Sequence, residues 1–222
     1  MREFKKGFTL AEVLITLLII GVIASIVVPG IISNTNEAEH TAGLKKTYAD
    51  LSNAIKMIQA NNGGSVNFGD LRGDFCSVMS CIKIDTNVNT FGSATNYKWY
   101  KGGNLTSWAG NSDSNPSAVL NNGSFVTFIT GDYPACGGYG VNECGWIYTD
   151  LNGKKGPNMF GKDLNRFWIS RPNLNGPYII LPFGTQGDNY APLTSCTAGS
   201  ITNGTSEGCT AWRLTKPDSM PQ

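Results

Sequence analysis

Between Phe8 and Ile32 this 222-residue chain has one charged side chain, Glu12. The run reads FTLAEVLITLLIIGVIASIVVPGII. As an α-helix rising ~1.5 Å per residue it would extend roughly 37 Å, enough to cross a bilayer core of ~30 Å. Arg2, Lys5 and Lys6 precede the run and Glu37 and Glu39 follow it. That asymmetry predicts a single-pass segment with a cytoplasmic N-terminus. A cleaved secretory signal shares the basic start, but its apolar core is ~7–15 residues and ends in an Ala-x-Ala-like site; none follows here. An ordinary signal anchor fits the pattern except for Glu12. A carboxylate inside a spanning helix costs roughly 2.5–3.5 kcal/mol on insertion scales, so it needs a partner and a use.

The residues around that acid carry a resemblance. Gly7-Phe8-Thr9-Leu10-Ala11-Glu12, followed by Val13-Leu14-Ile15, resembles the processing motif of type IV prepilins and type II secretion pseudopilins. The resemblance covers residues 1–35. It implies cleavage between Gly7 and Phe8 by an inner-membrane aspartic peptidase, which also N-methylates Phe8. It assigns Thr9 and Glu12 to assembly and implies helix-weakening positions at Gly21 and Pro29. Pro29 also has a plain reading: a tolerated kink in a membrane helix. Cleavage would leave Glu12 one turn from a new α-amine on Phe8. Helices stacked with an axial offset would then bring the carboxylate of one subunit beside the amine of its neighbour. In a low-dielectric core such a pair is strong, and breaking it costs about 3–5 kcal/mol.

Beyond the apolar run, Leu44, Tyr48, Leu51, Ile55 and Ile58 recur at helical spacing, and Asn61-Asn62-Gly63-Gly64 supplies a stop. The helix is expected from Phe8 to about Asn62, its second half packing that stripe on a globular head. His40 reads as a solvated helix residue.

The remainder is different in kind. Of 27 Gly, only Gly7, Gly21, Gly30 and Gly43 precede residue 63, and all six Cys and five Trp follow it. Residues 124–130, 145–150, 166–170 and 177–182 read as strands, with Asn122-Gly123 and Asn152-Gly153 as turns. The expected fold is α+β: a long N-terminal helix, transmembrane in its first half, packed on a small antiparallel sheet of about four strands with disulfide-bounded loops. The expected organisation is a leader 1–7, a transmembrane and filament-core helix 8–32, an amphipathic stem 33–62 and a β-rich head 63–222.

Six cysteines beyond a membrane span point to an oxidising compartment and three disulfides, with 15 pairings open. The sequence-local set Cys76–Cys81, Cys136–Cys144 and Cys196–Cys209 is expected, since each loop is short and lies between predicted elements. The last pair resembles the disulfide-bounded C-terminal region of many pilins. Zinc is the rival, disfavoured by the absence of a CxxC pair.

Asp150, Asn152, Asn158 and Asp163 place four oxygen donors on one predicted hairpin, and major pseudopilins bind calcium in a C-terminal loop. The resemblance therefore raises a calcium site here. The competing reading is a tight turn with Asx hydrogen bonds and no cofactor, and the spacing is not that of an EF-hand. Trp99, Tyr100, Trp108, Tyr139, Trp146, Trp168 and Trp212, with Lys98 and Lys101, form a faint aromatic-basic pattern for sugars or single strands; such residues are more often core or sheet-face packing. Sequons at Asn104, Asn122 and Asn203 carry no assignment.

Charge excludes some classes. With 17 basic and 16 acidic residues the chain is not a strongly basic nucleic-acid binder, and a single His leaves little room for His-based catalysis. No HExxH, GxSxG or P-loop occurs, so no enzyme is expected. The resemblance implies a structural filament subunit. Its partners would be other pilin or pseudopilin subunits, an inner-membrane assembly platform, the prepilin peptidase and, before extraction, membrane lipid. It would sit in the bacterial inner membrane, head outside the cytoplasm, and then in the filament. The alternative is a minor pilin acting as adhesin or DNA-uptake subunit.

Overall fold

The computed structural model describes residues 7–85, 97–98, 116–131, 134–153, 155–173, 175–189, 196 and 209–215; for 30–36 and 83–85 it describes the backbone alone. Arg2, Lys5, Lys6, Trp99, Tyr100, Lys101, Asn104, Trp108 and Asn203 lie outside the described residues.

Helix α1 runs Leu10–Asn61. Then come α2 (Leu71–Val78), β1 (Cys81–Asp85), β2 (Ser117–Leu120), β3 (Phe125–Thr130), β4 (Glu143–Asp150), β5 (Leu164–Ser170), β6 (Ile179–Pro182) and α3 (Cys209–Thr215). The chain divides into two compact units, residues 1–39 and 40–222. The stem residues from His40 onward thus belong with the head, while the apolar run stands in the other unit. The α+β class holds.

In the second unit, the six strands form one antiparallel meander in the order β1-β2-β3-β4-β5-β6. The expectation of about four strands misses β1 and β2. Their sequences explain why: CIKID mixes charges into a short run, and SAVL has four residues after a proline. The two short helices are likewise additions to the expected fold. In α2 the Asp70 side chain caps the start, accepting the Gly73 N–H at 2.9 Å.

The helical stripe does what its spacing predicts. Leu44, Leu51, Ile55 and Ile58 are buried in one cluster with Phe128, Ile147, Phe167 and Ile169 of the sheet. Tyr48 packs against the same cluster and stacks on Phe167 with ring centroids 6.1 Å apart. Each such buried side chain contributes about 1.5–3 kcal/mol. The pairing of β4 with β5 shifts register between Glu143 and Gly145. A Cβ at Gly145 would lie 2.5 Å from the Ile129 carbonyl oxygen, so glycine is required where β4 meets β3. The shift puts Cys144 and Ile147 in the helix-facing cluster and turns Trp146 and Tyr148 toward other clusters. Gln59 of α1 adds a polar tie. Its Nε2 donates to the Tyr178 carbonyl at 2.9 Å, and its Oε1 accepts the Tyr178 N–H at 2.7 Å. A helix side chain thereby imitates a strand partner just before β6.

All three disulfides take the sequence-local pairing: Cys76–Cys81, Cys136–Cys144 and Cys196–Cys209. No free cysteine remains.

Candidate functional site

The candidate site is the entry to α1. Gly7, Phe8 and Thr9 precede the helix, which begins at Leu10 rather than Phe8. Thr9 is the reason. Its hydroxyl accepts the Glu12 N–H at 3.2 Å, while the Glu12 carboxylate accepts the Thr9 N–H at 2.8 Å and the Thr9 hydroxyl at 2.9 Å. This is a reciprocal capping box, Thr-x-x-Glu, which satisfies two backbone N–H groups that a helix start otherwise leaves open. The acid also lies in the first turn, where the helix dipole favours negative charge. Within one chain, then, Glu12 is settled by a partner three residues away.

Around this acid the helix surface is almost wholly apolar, with Thr16 and Ser25 turning their hydroxyls onto the helix's own carbonyls. Leu10–Pro29 is long and apolar enough to cross a membrane, and none of it is buried in its own chain. Phe8 is 88% exposed and Leu18 68%. The helix continues through both Gly21 and Pro29. A Cβ at Gly21 would meet nothing within 4 Å, so space in this chain does not require the glycine.

The four proposed calcium donors fall on or beside the β4–β5 turn, where Asp150 and Asp163 lie close enough for one charge to act on the other. Asp163 spends both carboxylate oxygens on its own hairpin, accepting the N–H groups of Asn158 and Met159 at 2.6 Å each and of Leu164 at 3.1 Å. Asp150 Oδ2 accepts the Tyr97 hydroxyl at 2.7 Å and Oδ1 accepts the Asn152 N–H at 3.3 Å. Burial, with help from nearby Asp163, pushes the Asp150 carboxyl up to about 8, although the Tyr97 hydrogen bond favours its ionised form. Burial and the Asp150 charge likewise raise the Tyr97 phenol. The Asn152 and Asn158 side-chain oxygens are shielded and take no hydrogen bond among the described residues. Two neutral amides beside engaged carboxylates fall short of the six to eight oxygens calcium takes. No three acidic, His or Cys side chains cluster among the described residues.

Where the aromatic pattern is described, Trp146 and Trp168 are taken up by packing, while Tyr139 stays 41% exposed. Trp168 is fully buried, stacks on Phe183 at 4.0 Å and donates its indole N–H to Asp188 at 2.8 Å. Tyr139 stacks on Trp168 at 5.2 Å, and Trp146 meets it edge-on at 6.1 Å. Trp212 is half-buried on α3, Lys98 is exposed, Asn122 sits in the exposed β2–β3 turn, and His40 lies half-buried on α1.

Sequence reasoning missed Arg166 and Arg213, both buried. The Arg166 guanidinium lies 3.8 Å from the Phe183 ring centre and about 5 Å from those of Trp146 and Tyr148. Arginine among aromatic residues in a strand is the only prior signal, and it is weak. Arg213 had no signal at all.

With this geometry in view, comparison with known proteins places the helix entry in a class. Residues 4–28 match the prokaryotic N-terminal methylation motif, the prepilin-type signature. The chain is also similar to the type II secretion system core protein G of several bacteria. It is 38% identical to that of Escherichia coli K12 over 58 residues, 26% of this chain and 39% of the relative. To that of Aeromonas hydrophila it is 36% identical over 58 residues, covering 26% and 40%. To that of Vibrio cholerae serotype O1 it is 36% identical over 64 residues, covering 28% and 43%. The chain thus spans about two fifths of the length of these curated relatives. No solved structure matches it.

Proposed function

We propose that this protein is a structural subunit of the pseudopilin kind, held in the inner membrane by the apolar part of α1 and assembled through it into a type II secretion pseudopilus or a related type IV filament. Prepilin peptidase would cut between Gly7 and Phe8 and methylate the new Phe8 amine. Residues 8–32 would then form the filament core, with the head outside the cytoplasm. Gly21 and Pro29 would be the positions at which the helix yields on leaving the bilayer. Its partners would be like subunits and an inner-membrane assembly platform.

The observation that carries this reading is the Thr9–Glu12 capping box at the head of an uncovered apolar helix. The box holds the acid through local hydrogen bonds while the subunit waits in lipid. After cleavage, the neighbour's amine offers a charged partner, and the exchange fixes stacking register. The minor-pilin alternative draws no support from Trp146 and Trp168, whose rings meet each other and Arg166.

The test is Glu12→Val against Glu12→Asp, scored as filaments per cell by electron microscopy together with membrane content by immunoblot. The valine variant should be processed and membrane-bound yet assemble at least ~10-fold less, as loss of a buried charge pair of several kcal/mol requires; the aspartate variant should lie between. Wild-type filament yield from Glu12→Val would refute the assembly role.

A further inference from the structure

A groove runs along the side of α1 next to β6. Tyr48, Ser52, Lys56 and Ala60 recur every fourth residue and form one row on the helix. Between this row and residues 171 and 175–181 lie two adjoining cavities of about 320 and 550 Å³, which share Lys56 and Pro177. The groove they make has two unlike halves. One half is apolar. Ile55, Tyr178 and Ile180 are buried in its floor, and Ile179 and Leu181 are half-buried at its wall. The other half is cationic, with Lys56 and Arg171 set among small residues such as Gly63, Gly64 and Gly176. No acid among the described residues lines either half.

Arg171 is held in a fixed orientation. Its Nε donates to the Gly176 carbonyl at 3.0 Å, and its guanidinium carbon lies 4.8 Å from the centre of the Tyr178 ring. The Nη groups meet no partner among the described residues. An oriented guanidinium with an open Nη edge matches the two oxygens of a carboxylate. Lys56, exposed on α1, adds a second and more flexible charge. The end of the helix does not account for these cations. The Ile58 and Gln59 carbonyls there already accept the N–H groups of Asn62 and Gly64, at 2.9 and 2.6 Å. Neither cation has an ion-pair partner among the described residues.

We propose that this groove docks an acidic peptide segment of a partner protein, which places an apolar side chain in the half beside β6 and a carboxylate on Arg171 and Lys56. Charge complementarity selects the sign, since two cations with no acid nearby repel a basic segment. The adjoining apolar half selects a peptide over a free anion, which would leave that half empty. It also disfavours an acidic saccharide, because the two rings in the groove are taken up, Tyr48 by Phe167 and Tyr178 by Phe68 and Arg171. The groove lies wholly in the second unit, so the docking site goes beyond the subunit reading and its test needs no filament.

The test is a selection of random short peptides displayed on phage, made against the full-length chain in detergent, with the selected peptides then measured by fluorescence anisotropy. They should carry Asp or Glu close to a large apolar residue, and replacing the acid by its amide should weaken binding at least ~10-fold. Lys56→Glu and Arg171→Ala should each weaken it to a similar degree. Ser52→Phe fills the apolar half and should also cost at least ~10-fold in affinity; the Ser52 hydroxyl makes no hydrogen bond that would be lost. Excess inorganic phosphate or galacturonate should not displace the peptide. Several results would overturn the proposal: selected peptides with no enrichment in acid, undiminished binding to Lys56→Glu or Ser52→Phe, or a selection that returns no peptide. Displacement by phosphate or galacturonate would do the same, as would a wild-type dimer in sedimentation that Lys56→Glu makes monomeric. If Arg171→Ala fails to fold, Lys56→Glu and Ser52→Phe still decide the question.

Discussion

Two charged side chains, one on an exposed apolar helix and one buried, are satisfied in opposite ways in the two units of this chain. In residues 1–39 the single acid of the apolar run, Glu12, is satisfied by Thr9 three residues away. In residues 40–222 the buried Arg213 reaches Gly161, 52 residues distant, and Thr41, 172 residues distant. The contrast bears on what each unit needs. A helix whose polar group is settled locally folds before it has neighbours, and its apolar surface stays free for lipid or for other helices. A head whose polar groups are settled at long range folds as a whole and presents a finished surface.

The sharpest way to break this comparison is a matched pair of truncations. Phe167→Ala in the head empties a fully buried site and should cost about 3–5 kcal/mol, seen as a lower denaturation midpoint of the head. Leu18→Ala in the apolar run, where the side chain is 68% exposed, should leave that midpoint unchanged. Equal effects would mean that the two units are not energetically separate.

A smaller loss is expected from Gln59→Ala. It strands the Tyr178 N–H and carbonyl, which should cost about 1–3 kcal/mol in urea unfolding. No loss would show that the strand-like pairing between α1 and Tyr178 is incidental.

A further effect is one of pH. The folded Asp150 carboxyl, raised to about 8, keeps its proton while the unfolded chain has released it near the ordinary carboxylate value. Between about pH 4 and 8 the folded state therefore binds more protons, and this group's contribution to stability falls as pH rises. Asp150→Asn should flatten that slope in stability measured across the same range. An unaltered slope would remove Asp150 as its source.

Legibility in the sequence followed the same divide. The helical stripe Leu44–Ile58 and three disulfides with separations of 5, 8 and 13 are short-range patterns, and periodicity or spacing exposes them; the Thr9–Glu12 capping box is as short-range, yet it was not read from the sequence. Strands β3 to β6 were legible from β-branched and aromatic runs bounded by glycine and proline. Strands β1 and β2 were not, because a four- or five-residue strand gains its identity from its neighbour. The Gln59–Tyr178 tie spans 119 residues, and nothing along the chain signals it. The oxygen-rich run from Asp150 to Asp163 was visible, but composition cannot show that Asp163 turns both oxygens onto backbone N–H groups. Arg213 illustrates the limit most clearly: one basic residue near the C-terminus becomes a structural cation only once three remote elements meet around it.

The central claim concerns the first unit, and intact-protein mass spectrometry of the membrane fraction tests it most directly. The account predicts a chain lacking residues 1–7 and beginning at a mono-methylated Phe8. A chain that retains Met1, or one cut anywhere other than before Phe8, would contradict it.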